Sequence, residues 1–205
     1  MPIHLKNLES HARKALEPAL SGQLSPAERI SLYKRFLKIE EHRILLRHRA
    51  GAGGLEIARA RAGLIDTIMS SIFEAAVNAR GGTELPIALV ATGGYGRSTL
   101  NPCSDIDLLF LLPRASTKLP KALQELLQEI LYLLWDVGFK VGHACRSITE
   151  CIQQASEDQL NKTSLIDSRL IIGDQELFDQ FQKRFGHECL DKKQAEFFAL
   201  RRQDT

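Results

Sequence analysis

Asp105 and Asp107 stand two apart at the head of an apolar run formed by Ile106 and Leu108 to Leu112. In an extended strand alternate side chains share a face, so the two carboxylates lie about 7 Å apart along the backbone on one side. Like charges that close repel each other, and a divalent ion with oxygen ligands removes that cost. Upstream, Gly93-Gly94 is separated from Asp105 by a gap of ten residues. Two glycines at a strand end make a turn with no Cβ in the way, so backbone N–H groups can approach phosphate oxygens. Metal-binding acids beside a phosphate cradle are the components of phosphoryl or nucleotidyl transfer. Singly, a Gly-Gly reads as a turn and an Asp-x-Asp as a solvated strand end. Together they are more specific, because a buried strand holding two uncompensated carboxylates would cost several kcal/mol.

The surrounding pattern supplies elements to hold these groups. Ser25-Pro26-Ala27-Glu28 is a capping box with Pro at the first helical position, which opens a helix. Ile30, Tyr33, Phe36, Leu37 and Ile44 then recur at helical spacing up to the glycines at 51, 53 and 54. A second helix places Leu64, Ile65, Ile68, Ile72, Phe73, Ala76 and Val77 on one face and ends near Gly81-Gly82. The continuous apolar run Ile87 to Ala91 predicts a buried strand, and Asp105 to Leu112, bounded by Pro102 and Pro113, predicts another. Leu123 to Leu134 returns to helical spacing, with Trp135 assigned to the core beside it, and Phe139 to Cys145 predicts a third strand. Ser147-Ile148-Thr149-Glu150 is a second capping box, and the chain from there to about residue 200 reads helical. Helices followed by strand, strand, helix, strand and helices suit a small mixed sheet covered by helices.

The 205 residues carry 27 Lys plus Arg against 25 Asp plus Glu, with 44% hydrophobic residues and 7 Pro, which excludes a disordered chain. Residues 1–61 hold 12 basic and 6 acidic side chains. These are scattered over amphipathic helices without interleaved aromatics, which reads as a solvated face with no nucleic-acid partner. Cys103, Cys145, Cys151 and Cys189 lie 42, 6 and 38 residues apart, a spacing that suits neither zinc nor a disulfide framework. Neither a secretory leader pattern nor a long apolar stretch is present, so a cytoplasmic protein with no membrane partner is expected. His143 and Cys145 share a strand face but lack a third, base-orienting group, and read as structural. His4, His11, His42, His48 and His187 are dispersed and read as surface or incidental.

Gly93-Gly94, the ten-residue gap and Asp105-x-Asp107 resemble the signature of the DNA polymerase β-like nucleotidyltransferase superfamily. The longer strings Gly93-Gly94-Tyr95-Gly96-Arg97 and Ser104-Asp105-Ile106-Asp107-Leu108-Leu109 are similar to the N-terminal domain of the bacterial PII uridylyltransferases. So are Leu134 to His143 with Arg146, and Ser168 to Asp174, so that the resemblance covers residues from about 87 to 185. It implies an α+β (α/β-like) fold with a small mixed sheet: a helical segment over 1–82, the nucleotidyltransferase core over 83–150, and packed helices over 151–205. It further implies that Asp105 and Asp107 hold Mg²⁺ and are catalytic, that Gly93 and Gly94 contact the triphosphate, and that Ser104 adds a hydroxyl donor. Arg97 either neutralises phosphate charge or forms a structural salt bridge.

By the same resemblance the donor is UTP, the acceptor a tyrosine hydroxyl of the PII nitrogen-signalling protein, and the leaving group pyrophosphate. A different acceptor, or an inactive nucleotide-binding regulatory module, are the alternatives. The superfamily brings a third carboxylate from a later strand, and Lys140 to Ile148 has none. Asp136 and Asp167 are the nearest acids in sequence, but the first reads as a helix-end cap and the second as a surface partner of Arg169. The third position stays open. Family members continue into hydrolase and regulatory domains, so the chain is expected to be part of a longer multidomain enzyme or a stand-alone homologue.

Overall fold

The computed structural model describes residues 3–82, 85–115, 117 and 119–191. Four strands form one mixed sheet in the order β3-β2-β1-β4, where β1 is Ala88–Ala91, β2 Ile106–Leu112, β3 Val141–Ser147 and β4 Arg169–Gly173. β1 runs antiparallel to both β2 and β4, while β2 and β3 are parallel. Parallel neighbours need a crossover, and the helix between them provides it.

The helices follow from capping and periodicity. Those of the N-terminal part are α1 (Ile3–Ala15), α2 (Glu17–Leu20), α3 (Pro26–Arg49) and α4 (Gly54–Asn78). α3 starts at the expected box: the Ser25 backbone N–H donates to Glu28 Oε2 at 2.9 Å, and the Ser25 hydroxyl accepts from the Glu28 N–H. A one-turn helix, α5 (Gly93–Gly96), stands at the glycine pair, and the crossover helix α6 spans Lys121–Val137. α7 (Ile148–Glu157) opens at the second capping box, α8 is Gln159–Ile166 and α9 is Gln175–Phe185, which runs into a π-helical turn over Gly186–Asp191.

Strand alternation divides the sheet into two buried faces. Leu89, Ala91, Leu108, Phe110 and Leu112 pack with the N-terminal helices and α6, through Tyr33, Leu64, Ile68 and Leu126. Ala88, Val90, Leu109 and Leu111 pack with α7 to α9, through Cys151, Leu165, Phe178 and Phe181. Each such large side chain taken out of water contributes about 1.5–3 kcal/mol, so both layers press on the sheet that carries the acids. Among the described residues no helix is long and apolar enough to cross a membrane.

Three expectations are corrected. The stretch after residue 150 is not helical throughout: Arg169–Gly173 is the edge strand β4. Its apolar segment, Leu170-Ile171-Ile172, is too short for periodicity to separate strand from buried helix, and the β-branched pair favours the strand once β1 offers an unpaired edge. Residues 192–200 of the expected helix lie outside the described residues. Trp135 is not a core residue, being 43% exposed, with its ring edge-on between Tyr132 and His143, 5.8 Å from each. His11 is not incidental either: its Nδ1 lies 2.6 Å from Glu40 Oε1, and its ring is tilted against Phe36. His42, His48 and His187 are exposed as expected, and the side chain of His4 lies outside the described ones.

Candidate active site

Asp107 is the second residue of β2, on the face shared with Leu109 and Leu111, and Asp105 stands just ahead of the strand. Both residues are exposed. The premise that the acids sit within the buried part of the strand is therefore corrected: on their face continuous burial begins at Leu109, and Asp107 borders an open cleft that α8 also lines. The Asp107 carboxylate is nonetheless crowded. A Cβ added at Gly93 would lie 3.3 Å from its Oδ2, and one at Gly142 would lie 2.9 Å from its Oδ1. Glycine at both positions leaves room for the two carboxylate oxygens where any side chain would crowd them. This crowding raises the pKa of Asp107 above the usual carboxylate value, through loss of solvent first and the charge of Asp105 second.

The glycine turn is fixed from three directions. Gly93 has φ +57°, which glycine adopts without strain, and the Thr92 N–H donates to the Asp107 carbonyl at 3.1 Å, joining the turn to the acids' strand. Tyr95 is 1% exposed, and its hydroxyl donates to Asp66 Oδ1 at 2.6 Å. Arg169, from β4, donates to the same Asp66 oxygen at 3.0 Å and to the Gly96 carbonyl at 3.3 Å. Its guanidinium lies over the Tyr95 ring, 5.6 Å from the centroid. Burial raises the pKa of Tyr95 far above its normal value, with Asp66 adding to the shift, so the phenol stays protonated and keeps donating. Gly96 packs so closely on the α8–β4 turn that a Cβ there would lie 1.9 Å from the Asp167 carbonyl oxygen.

Of the other residues singled out, Arg97 is exposed and forms an ion pair with Asp167. The expected pairing of Asp167 with Arg169 is thus corrected, since Arg169 is committed to Asp66. Ser104 is exposed immediately before Asp105, its N–H donating to the Asn101 carbonyl at 3.2 Å. Asp136 lines a groove between α3 and α6 with Arg29 and Tyr132, away from the acids. The β3 residue paired with Asp107 is Gly142, so the strand beside the acids carries no third carboxylate. Among the described residues no group of three or more His, Cys, Asp or Glu forms a metal cage. The Cys145 thiol is pushed up by burial, and Cys151 to about 12 for the same reason. Neither is a thiolate nucleophile, in keeping with the structural reading of His143 and Cys145.

A cleft of about 370 Å³ opens beside Asp107, between β3 and α8. Arg146, Asp158, Asn161 and Ser164 line it, and none of the four was assigned a role from sequence. Asp158, Asn161 and Ser164 reach the cleft only because α8, packed on α7 and α5, faces β3 across it, which no spacing announces. Asp66 left a fainter signal: it is an acid within the apolar stripe of α4, next to Leu64, Ile65 and Ile68.

Residues 71–172 match the family described as the nucleotidyltransferase domain. The glycine turn, both acids and the whole cleft fall within that stretch. Residues 71–172 thus make up a nucleotidyltransferase domain. The four-stranded mixed sheet is consistent with the polymerase β-like form of that fold. Over 156 residues the chain is 42% identical to a bifunctional uridylyltransferase/uridylyl-removing enzyme of Phenylobacterium zucineum, covering 74% of this chain and 16% of the relative. The enzyme of the same name from Caulobacter vibrioides is 41% identical with the same coverage. That from Rhodopseudomonas palustris is 42% identical over 141 residues, 66% of this chain and 15% of the relative. The chain thus matches no more than 16% of the length of these curated relatives.

Proposed function

We propose that the chain transfers UMP from UTP to a tyrosine hydroxyl of a PII-type signalling protein and releases pyrophosphate. The observation that supports the nucleotidyl-transfer reading is the closeness of the glycine turn to the Asp107 carboxylate, whose Oδ2 lies 3.3 Å from where a Cβ on Gly93 would stand. The relatives' shared name supports a uridylyl donor. Two neighbouring carboxylates, one held above its usual pKa by lost solvent and by the other's charge, fit a hard divalent ion such as Mg²⁺. Bound by Asp105 and Asp107, it would neutralise charge on the phosphates under attack. The chain's own part is to hold the turn backbone of Gly93 and Gly94 toward the triphosphate, with Ser104 as a hydroxyl donor nearby. Arg97, exposed and ion-paired with Asp167, can swing to a phosphate at small cost. The tyrosine oxygen forms the new bond to the α-phosphorus, the bond to the β-phosphate bridging oxygen breaks, and pyrophosphate leaves with that electron pair. The hydroxyl proton passes to solvent.

The glycine opposite Asp107 on β3 favours a second reading, a nucleotide-binding module without turnover, since a third acid is missing from that position. Incubation with UTP, Mg²⁺ and a PII-type protein separates the two. Uridylylated tyrosine by intact-mass and peptide mass spectrometry, with matching pyrophosphate, is the expected result. Nucleotide binding without pyrophosphate would leave the second reading, and label on another acceptor would replace the first.

A further inference from the structure

The sheet order fixes a direction across the site. β2, with Asp107, lies between β1, from whose end the glycine turn springs, and β3. A nucleotide whose α-phosphate sits at the acids and whose outer phosphates lie on the glycine turn therefore points its nucleoside the other way, over β3. The cleft between β3 and α8 lies there. Along its floor Gly142, Ala144 and Arg146 share the face of Asp107, Leu109 and Leu111, their partners in register. From Gly142 to Arg146 is four residues of strand, about 13 Å, a span for a nucleoside and too long for a lone phosphate. Gly142 and Ala144 leave the floor flat, and Leu160, 80% exposed at the start of α8, offers an apolar cover.

The far end of the cleft is a chain of oriented polar groups. Asp158 accepts from the Leu160 N–H and from Asn161 Nδ2, each at 2.8 Å. That second bond turns the Asn161 carbonyl oxygen toward Arg146, whose Nη1 donates to it at 3.4 Å. Among the described residues the Arg146 guanidinium has no carboxylate partner, and its remaining N–H groups are available to a ligand. We propose that Arg146, oriented by Asn161, reads the base of the nucleotide by donating to uracil carbonyls; this rests on the uridylyl-transfer reading above. A guanidinium only donates. Uracil carries a carbonyl acceptor, O4, at the edge where cytosine and adenine carry an amino donor. A guanidinium aimed at that edge accepts uracil and rejects the other two, because donor would then face donor.

The test is calorimetric titration of the chain with UTP, CTP, ATP and inorganic tripolyphosphate, each with Mg²⁺, in the wild type, Arg146→Met and Asn161→Ala. Wild type should prefer UTP over CTP, and Arg146→Met should erase that preference by roughly tenfold or more while binding tripolyphosphate as wild type does. Asn161→Ala should weaken the preference less, since it only frees the guanidinium. A uniform loss for UTP, CTP and tripolyphosphate would make Arg146 a phosphate contact and overturn the assignment, with the uridylyl donor standing. A wild-type preference for another base that Arg146→Met still erases would overturn the uridylyl donor and keep the base-reading role. A UTP preference untouched by Arg146→Met would overturn the assignment.

Discussion

On the β1 flank of Asp107 the glycine turn is locked: Tyr95 is buried, Asp66 accepts from it and from Arg169, and Arg169 also holds a turn carbonyl. On the β3 flank the cleft is lined by a guanidinium that among the described residues reaches only Asn161, at 3.4 Å, and by a leucine 80% exposed. The difference follows what each side has to recognise. Every nucleoside triphosphate presents the same phosphates, so a preformed turn costs nothing in selectivity and avoids reorganisation on binding. The base is what differs among nucleotides, and its donors and acceptors must stay open to the ligand until it arrives. Rigid backbone thus serves the common part, and uncommitted side chains the variable part.

The largest effect belongs to the residue between the flanks. Asp107→Asn should lower turnover by roughly a thousandfold or more, equivalent to several kcal/mol of lost charge stabilisation. Circular dichroism and the thermal midpoint should stay at wild-type values or rise, because an exposed, crowded charge has been removed. An active Asp107→Asn enzyme would end the metal-ligand role.

Adding one methyl on each flank sharpens the contrast. Gly96→Ala drives a Cβ to 1.9 Å from the Asp167 carbonyl, backbone that cannot turn aside, and should cost about 3 kcal/mol in urea unfolding. Gly142→Ala meets Asp107 Oδ1 at 2.9 Å, a side-chain atom that can rotate. Stability should change little there, while activity falls because the carboxylate has moved. Equal destabilisation by the two would show that the flanks do not differ in rigidity.

Arg169→Met and Arg146→Met remove the same group from the two sides. The first strips Asp66 and the Gly96 and Tyr95 carbonyls of a donor and should cost about 2 kcal/mol, with a raised KM for the nucleotide as the turn loosens. The second should change unfolding free energy by no more than about 0.5 kcal/mol, since its single bond is long. If Arg146→Met proves the more destabilising, the open flank is structural.

The locked flank was the more legible one in sequence. Gly93, Gly94, Asp105 and Asp107 declare themselves by type and spacing within fifteen residues, and the capping boxes at Ser25 and Ser147 locate two helix starts to the residue. What holds the turn was not legible, because Asp66 and Arg169 are 103 positions apart and meet only through the packing of α4 on β4. β4 itself was hidden by its brevity. Trp135 was misplaced because helical spacing specifies an apolar stripe but not its edge, where a ring beside Leu134 can lie half in solvent against His143. The polar end of the cleft comes from β3 and α8, joined only by the fold.

The smallest effect is the dependence of stability on pH. Asp107 has its pKa raised in the folded chain, by lost solvent and then by Asp105, so the folded state holds this proton more tightly than the unfolded one. Stability then falls as pH rises through the window from the ordinary aspartate value up to the raised one, and stays lower above it. The wild type should lose stability across that window relative to Asp107→Asn, by an amount kept small by solvent around an exposed residue. Mg²⁺ should reverse the sign, because an ion bound to the deprotonated carboxylate stabilises the folded chain above the same window. Parallel urea titrations of both proteins across this range, with and without Mg²⁺, measure it. A difference between them that is flat in pH would mean that the glycines beside Asp107 leave it as solvated as in the unfolded chain.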